Sequence, residues 1–207
     1  MKYYPMYVDL NNKKCIVIGG GDVAERKVQS FLDCKADVTV ISPELTKRLQ
    51  QLALQRVIKH LRRNYRRGDL EGVFLVVSAT DNPDLNAIVC YEAGQKNVLV
   101  NVVDDPEKCS FIVPSVVERG DLLISISTSG SCPALTKRIR KELEQIYGEE
   151  YIDYLRFLHG VRDEIKNKYQ DFEERKKALE RVLDSDILSL LKEGKRSLAE
   201  EKVRECI

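Results

Sequence analysis

Residues 14–27 read KCIVIGGGDVAERK. Lys14–Ile18 is a short apolar run of the length of a buried strand, and from Asp22 the apolar spacing becomes helical. Between them lies Gly19-Gly20-Gly21-Asp22-Val23-Ala24, a Gly-x-Gly-x-x-Ala pattern at a strand-to-helix turn. Gly19 permits the tight turn, Gly21 lets a pyrophosphate approach the backbone, and Ala24 lets the helix pack closely on the sheet. The helix start offers amides and a positive dipole to phosphate, which makes Asp22 and Val23 candidate cofactor contacts. A tight turn needs glycine whether or not anything binds, so this pattern must be weighed with the rest of the chain.

Outward from this turn the chain alternates. Asp37–Ile41, Val57–Leu61, Val73–Ser78 and Val98–Asn101 read as further strands, and Asp22–Asp33, Glu44–Leu54 and Pro83–Gln95 as helices. Strand and helix in alternation predict an α/β fold whose N-terminal part is a Rossmann-type parallel sheet over residues 1–110. The end of the second strand is where an acid grips the ribose of NAD. Here the residues are Ser42, Pro43 and Glu44: Ser42 suits a ribose hydroxyl, while Glu44 is either a late ribose ligand or a first-turn helix residue. No arginine occupies this turn, which favours NAD over NADP. After the fourth strand the small residues Ala79 and Thr80 are expected beside the cofactor, with Asp81 or Asn82 capping the next helix or, for Asp81, touching ligand. Beyond the last strand Asn101 and Asp104 reach the carboxyl edge. A carboxylate there can take a proton while a hydride leaves to NAD, or it is an exposed turn residue before Pro106.

The pattern changes near residue 111. Phe111–Glu118 and Leu122–Ser127 flank Arg119-Gly120-Asp121 and predict a β-hairpin. The hydroxyl-rich loop Ser127–Cys132 leads into a helix from Pro133 to Tyr147, and proline suits its first turn. Ser129, Gly130 and Ser131 before that helix form an expected anion site, with Arg138 among the cations Lys137, Arg138, Arg140 and Lys141 behind it. These cations read equally as a solvated helix face. Glu149 onward is helical, with breaks near Asp171, Ser185 and Gly194. Three parts follow: 1–110, a hairpin and helix over 111–147 for dimerisation, and a small helical domain over 148–207.

Composition removes other classes. With 34 basic and 33 acidic residues, no global field draws the chain to nucleic acid or anionic lipid. No apolar run nears the about 20 residues that span a bilayer, and the start lacks a secretory h-region, so the expected location is the cytoplasm. The six cysteines include no Cys-x-x-Cys pair and only two histidines occur, against structural zinc or a histidine cage. Buried thiols are the plain expectation for these cysteines.

The segments IVIGGGDVAERK (16–27), ATDNPDLN (79–86), NVVDDPEKCSFIVPS (101–115) and STSGSCPAL (127–135), in this order and at these separations, resemble the dehydrogenase modules of the siroheme synthase family. The resemblance covers roughly residues 1–145; the helical tail matches in character and length. It implies a homodimer, NAD-dependent oxidation of the tetrapyrrole precorrin-2 to sirohydrochlorin and, in some members, insertion of ferrous iron or cobalt. It matches Asp104 to an aspartate proposed for both reactions, with a transient hold on the metal. Asp22, Val23, Pro43 and Glu44 match cofactor-turn positions, and Thr128 falls where some members carry a phosphorylatable serine. The competing class is a nucleotide-sensing regulatory module without catalysis, which the glycine turn alone allows.

Overall fold

The computed structural model describes residues 3–207. Among these residues β1 (Lys14–Ile18), β2 (Asp37–Ile41), β3 (Lys59–Leu61), β4 (Leu75–Ser78) and β5 (Leu99–Val102) form one sheet in the order β3-β2-β1-β4-β5. Every pairing is parallel. The order reverses between β1 and β4, which opens a crevice at their carboxyl ends. Both faces are covered, and this explains why β1 and β4 are continuous apolar runs rather than alternating ones. Cys15, Val17, Val38, Val40, Leu75 and Val77 meet one face of α1 (Asp22–Asp33), carrying Ala24, Val28 and Phe31, together with Leu49 and Leu52 of α2 (Lys47–Leu54). Ile16, Ile18, Val76, Val100 and Val102 meet Val89 and Ala93 of α3 (Pro83–Lys96), with Tyr65 and Leu70.

The ends of β1, α1 and β2 fall where the sequence places them. Helix α2 does not begin at Glu44: Thr46 is its N-cap and accepts from the Leu49 amide at 3.2 Å. Glu44 therefore precedes the helix. The third strand is shorter than expected, because Arg56 has positive φ and Val57 bonds back to Leu52 O, so that pairing starts only at Lys59.

The first unit ends at Val113, and the second runs from Pro114 to Ile207. In the second, β6 (Ser115–Arg119) and β7 (Leu122–Ile126) pair antiparallel, Ser115 opposite Ile126. The hairpin starts later than Phe111, since Asn101 and Ser110 hold residues 110–111 to β5 within the first unit. Helix α4 (Pro133–Ile146) buries Thr136, which accepts from the Ser115 hydroxyl at 3.2 Å. Helices α5 (Glu150–Lys168), α6 (Phe172–Leu183), α7 (Ile187–Lys192) and α8 (Arg196–Cys206) enclose their own core of Tyr154, Val161, Ile165, Ala178, Val182, Ile187, Ala199 and Val203. No helix among the described residues is long and apolar enough to cross a membrane.

None of the six cysteines forms a disulfide among the described residues, and Cys34 and Cys132 are exposed rather than buried. Of the six, Cys15 is the one that is buried, against the expectation of buried thiols throughout: burial first, then the charges of Asp37 and Cys34, push it up to about 11.

Arg63 and Asp69 clamp the loop after β3 through two bonds of 2.7 Å. The Arg63 guanidinium holds the Asp69 carboxyl below its ordinary value of 3.8. A carboxyl depressed in the folded state stabilises fully above its unfolded value, and that stabilisation is lost as pH falls through the folded one. Asp69→Asn is expected to cost about 1–2 kcal/mol at neutral pH. In urea melts from pH 7 downward, the gap between wild type and variant should close below the ordinary carboxylate range. A gap independent of pH would show that the charge is not what stabilises the loop.

Candidate functional site

The crevice between β1 and β4 is closed at its floor by backbone against backbone. Gly19 has φ +112, and a Cβ there would stand 2.3 Å from Ala79 O. A Cβ on Gly20 would stand 1.9 Å from Glu44 O and 2.8 Å from Ser42 Oγ. Both glycines are therefore demanded by the fold itself. Gly19 N donates to Ile41 O at 3.0 Å, Ala79 N to Ile18 O at 2.8 Å, and Thr46 N to Gly20 O at 2.9 Å. The Thr46 hydroxyl donates to Glu25 Oε2 at 2.5 Å. Together these bonds fix the glycine turn to the segments after β2 and β4.

Gly21 is different. Its backbone is ordinary, with φ −85 and ψ −170, and nothing lies within 4 Å of where its Cβ would be. Neither strain nor crowding in the fold requires glycine there. It is the N-cap of α1, without a side-chain cap, although Ser, Asn or Asp would serve that position. A helix start leaves the amides of Asp22, Val23 and Ala24 without intrahelical acceptors. An open space over these amides is what a phosphate group fills, so the turn fits the pyrophosphate of a dinucleotide.

Around it, Ser42 is buried and takes the His60 Nε2 donor on its carbonyl at 2.9 Å. Pro43 and Glu44 are exposed at the same edge. Beyond β4, Ala79 and Thr80 are half-buried. Their loop is braced by Asn86, whose Oδ1 accepts from Ser78 at 2.6 Å and whose Nδ2 donates to Thr80 O at 3.2 Å. Asn82, not Asp81, caps α3, accepting from Asp84 and Leu85 at 3.0 Å each. Asp81 is exposed at the loop tip.

Asp104 follows β5, exposed, with φ +61. Left-handed backbone is unusual off glycine, although aspartate tolerates it better than most. The turn is pinned from both sides: Asp105 N donates to Val102 O at 3.3 Å, and Cys109 Sγ bonds Val102 N at 3.2 Å and Asp105 O at 3.1 Å. The two neighbouring aspartates are sorted by their partners. Asp105 pairs with Lys108 at 2.5 Å, which holds its carboxyl below the usual range. Asp104 has no hydrogen-bond or ion-pair partner among the described residues. Asn101 is engaged by the same loop, its amide donating to Phe111 O at 3.1 Å and to Cys109 Sγ at 3.4 Å. Since β4 lies between β1 and β5, Asp104 is two strand spacings, about 10 Å, from the glycine turn along the edge. Lys27, which the sequence reading did not single out, is half-buried on α1 without an ion-pair partner among the described residues. Burial, then Arg26, pulls its ammonium group below the ordinary lysine value, against an opposing pull from Cys109. No group of three or more His, Cys, Asp or Glu side chains able to hold a metal occurs among the described residues.

In the second unit, Ser129 has φ +54 and Gly130 φ +88, and Ser129, Gly130 and Ser131 are exposed. Ser129 N donates to Ser127 Oγ at 2.9 Å, and Cys132 N to Thr128 Oγ1 at 3.0 Å. The start of α4 is a narrower donor than the sequence suggests. Pro133 has no N–H, and the Leu135 and Thr136 amides both bond Cys132 O, leaving that of Ala134. Arg138 is exposed and pairs with Glu142 at 3.0 Å.

Three family models match in succession: "Putative NAD(P)-binding" over residues 6–115, "Sirohaem biosynthesis protein central" over 119–146 and "Sirohaem synthase dimerisation region" over 153–207. The chain is 36% identical over 203 residues to a siroheme synthase of Photobacterium profundum, covering 98% of this chain and 43% of that protein. It is 38% identical over 188 residues to siroheme synthase 3 of Aeromonas hydrophila, covering 91% and 40%. The chain thus spans less than half the length of these curated relatives. Among solved structures, the precorrin-2 dehydrogenase SirC superposes with a TM-score of 0.81 at 27% identity, covering 98% of this chain and 100% of that one.

Gly20 and Gly21 should respond differently to alanine. Gly20→Ala must displace the Glu44 carbonyl and is expected to lower the melting temperature by several degrees. Gly21→Ala should melt within about a degree of wild type yet weaken NADH binding about ten-fold or more, read by nucleotide fluorescence. Equal melting losses in both variants would mean that Gly21 serves the fold and not a ligand.

Proposed function

The chain belongs to the siroheme synthase family, and on that premise we propose that it oxidises precorrin-2 to sirohydrochlorin with NAD as the acceptor. The observation that carries this reading is the pairing, on one sheet edge, of a helix start left open at Gly21 with the unpartnered carboxylate of Asp104. NAD, when bound, supplies a two-electron hydride acceptor. The chain's own residues bind, orient and take up a proton. Gly19, Gly21, Asp22 and Val23 receive the pyrophosphate, Ser42, Pro43 and Glu44 face the adenosine ribose, and Ala79 and Thr80 line the path between the two ends of the cofactor.

Oxidation removes a hydride and a proton from the macrocycle, so a base must stand on the substrate side. Asp104 is free for that role because Lys108 engages its neighbour Asp105. Pinning by Cys109 fixes where the carboxylate is offered, which favours the reacting geometry. Asn101 is the proposed substrate contact beside it. The peripheral carboxylates of a tetrapyrrole need local donors on a chain of net charge +1; Ser129, Gly130, Ser131 and Arg138 are proposed for them. A homodimer is part of the same reading; the hairpin and helix over 111–147 were the expected dimerisation region, whereas the family's dimerisation model matches residues 153–207. If metal insertion into sirohydrochlorin follows, Asp104 is the residue to receive the pyrrole protons and to hold the metal in passing.

Mixing the chain with NAD and precorrin-2 should generate NADH absorbance. Asp104→Asn should lower kcat about a hundred-fold or more, because it removes the base, while NADH titration shows a Kd within about two-fold of wild type. Full activity in that variant would take Asp104 out of the mechanism. Tight NADH binding with no turnover by the wild type would favour the nucleotide-sensing module instead. Adding ferrous iron or cobalt after oxidation tests chelation separately.

A further inference from the structure

At the end of β2 no acid directly follows the strand, the position from which one selects NAD by gripping the ribose hydroxyls and repelling a 2′-phosphate. Ile41 is followed by Ser42 and Pro43, while Glu44 has its carbonyl turned to Gly20 and its side chain in solvent. What stands beside this edge is set by the sheet and not by nearness in sequence. β3 pairs with β2 so that Leu61 is the partner of Ile41. Ser42 N donates to Leu61 O at 3.3 Å, and His60 Nε2 donates to Ser42 O at 2.9 Å. The residue that follows Leu61 is Arg62, one strand spacing, about 5 Å, along the edge from the Ser42 turn.

Arg62 is exposed and, among the described residues, has no side-chain hydrogen bond or ion pair. Its neighbour Arg63 differs completely, being locked onto Asp69 by two bonds of 2.7 Å. The loop thus pairs the Arg63 guanidinium and leaves that of Arg62 exposed. Arg66 and Arg67, also exposed, add to the positive field of the same segment.

We propose that Arg62 is a coenzyme-selecting residue: it receives the 2′-phosphate of NADP at the carboxyl edge of β2, so the chain takes NADP as well as NAD. This rests on the dinucleotide reading given above. A guanidinium offers a phosphate two parallel charge-assisted bonds, which lysine does not. Because Arg62 is exposed, solvent and salt screen the pair, and the gain is about ten-fold rather than a thousand-fold.

The full chain is titrated with NADPH and with NADH, following nucleotide fluorescence at low and at moderate salt. The expected result is two dissociation constants within about ten-fold of each other, with NADPH the more salt-dependent. Arg62→Glu should shift the NADPH/NADH affinity ratio at least about ten-fold against NADPH, and Arg62→Lys by less. Melting curves of both variants report whether the fold is intact, and Arg62→Gln supplies a milder change if Arg62→Glu fails to fold. Binding of NADH with NADPH weaker by more than about a hundred-fold, or an unchanged ratio in the Arg62 variants, overturns the proposal while leaving the dinucleotide reading standing. Binding of neither nucleotide overturns both.

Discussion

Two backbone carbonyls control the geometry of the first unit. Ala79 O and Glu44 O press on the glycine turn so closely that a Cβ on Gly19 or Gly20 would stand 2.3 or 1.9 Å from them. These contacts bring the ends of β1, β2 and β4 to one edge. The bonds from Gly19 to Ile41, from Ala79 to Ile18 and from Thr46 to Gly20 hold them there. Because the first two glycines are occupied with packing, the third can remain open. The α1 amides then face outward at the point where the strand order reverses, and that is where an open parallel sheet takes its ligand.

The other end of the edge is arranged by charge. Two adjacent aspartates follow β5, and a single lysine separates their roles: Lys108 takes Asp105, and Asp104 has no partner among the described residues. The sulfur of Cys109 and the hydroxyl of Ser110 tie the returning chain to β5, which stabilises a turn whose left-handed residue would otherwise cost about 1 kcal/mol. A free carboxylate on a fixed turn is a base with a defined direction, and a mobile loop would not provide one.

Much of this was legible in the sequence where the signal is local. KCIVI and DVTVI are bounded as strands because buried apolar runs end at turn-forming residues, and DVAERKVQSFLD shows its helical face in Ala24, Val28 and Phe31. The candidate residues Gly19, Gly21 and Asp104 rest on the same short-range logic. What escaped depends on neighbours across the sheet. Gly20 looks like filler until Glu44 O is found against it. Arg62 is twenty positions from Ser42, and only the β2–β3 register puts it beside that turn. The start of α2 is not legible locally because Glu44 is a good helix former, whereas Thr46 takes the cap through its bond to Leu49. The donor capacity of the α4 start is smaller than its sequence suggests because Cys132 O takes two of the amides.

The most direct test of the account is a crystal structure of the chain with NAD. The pyrophosphate should lie over Gly21, with its oxygens about 3 Å from the Asp22 and Val23 amides and the nicotinamide directed toward the edge that carries Asp104. A dinucleotide seated elsewhere, or a pyrophosphate that makes no contact with the start of α1, would contradict it.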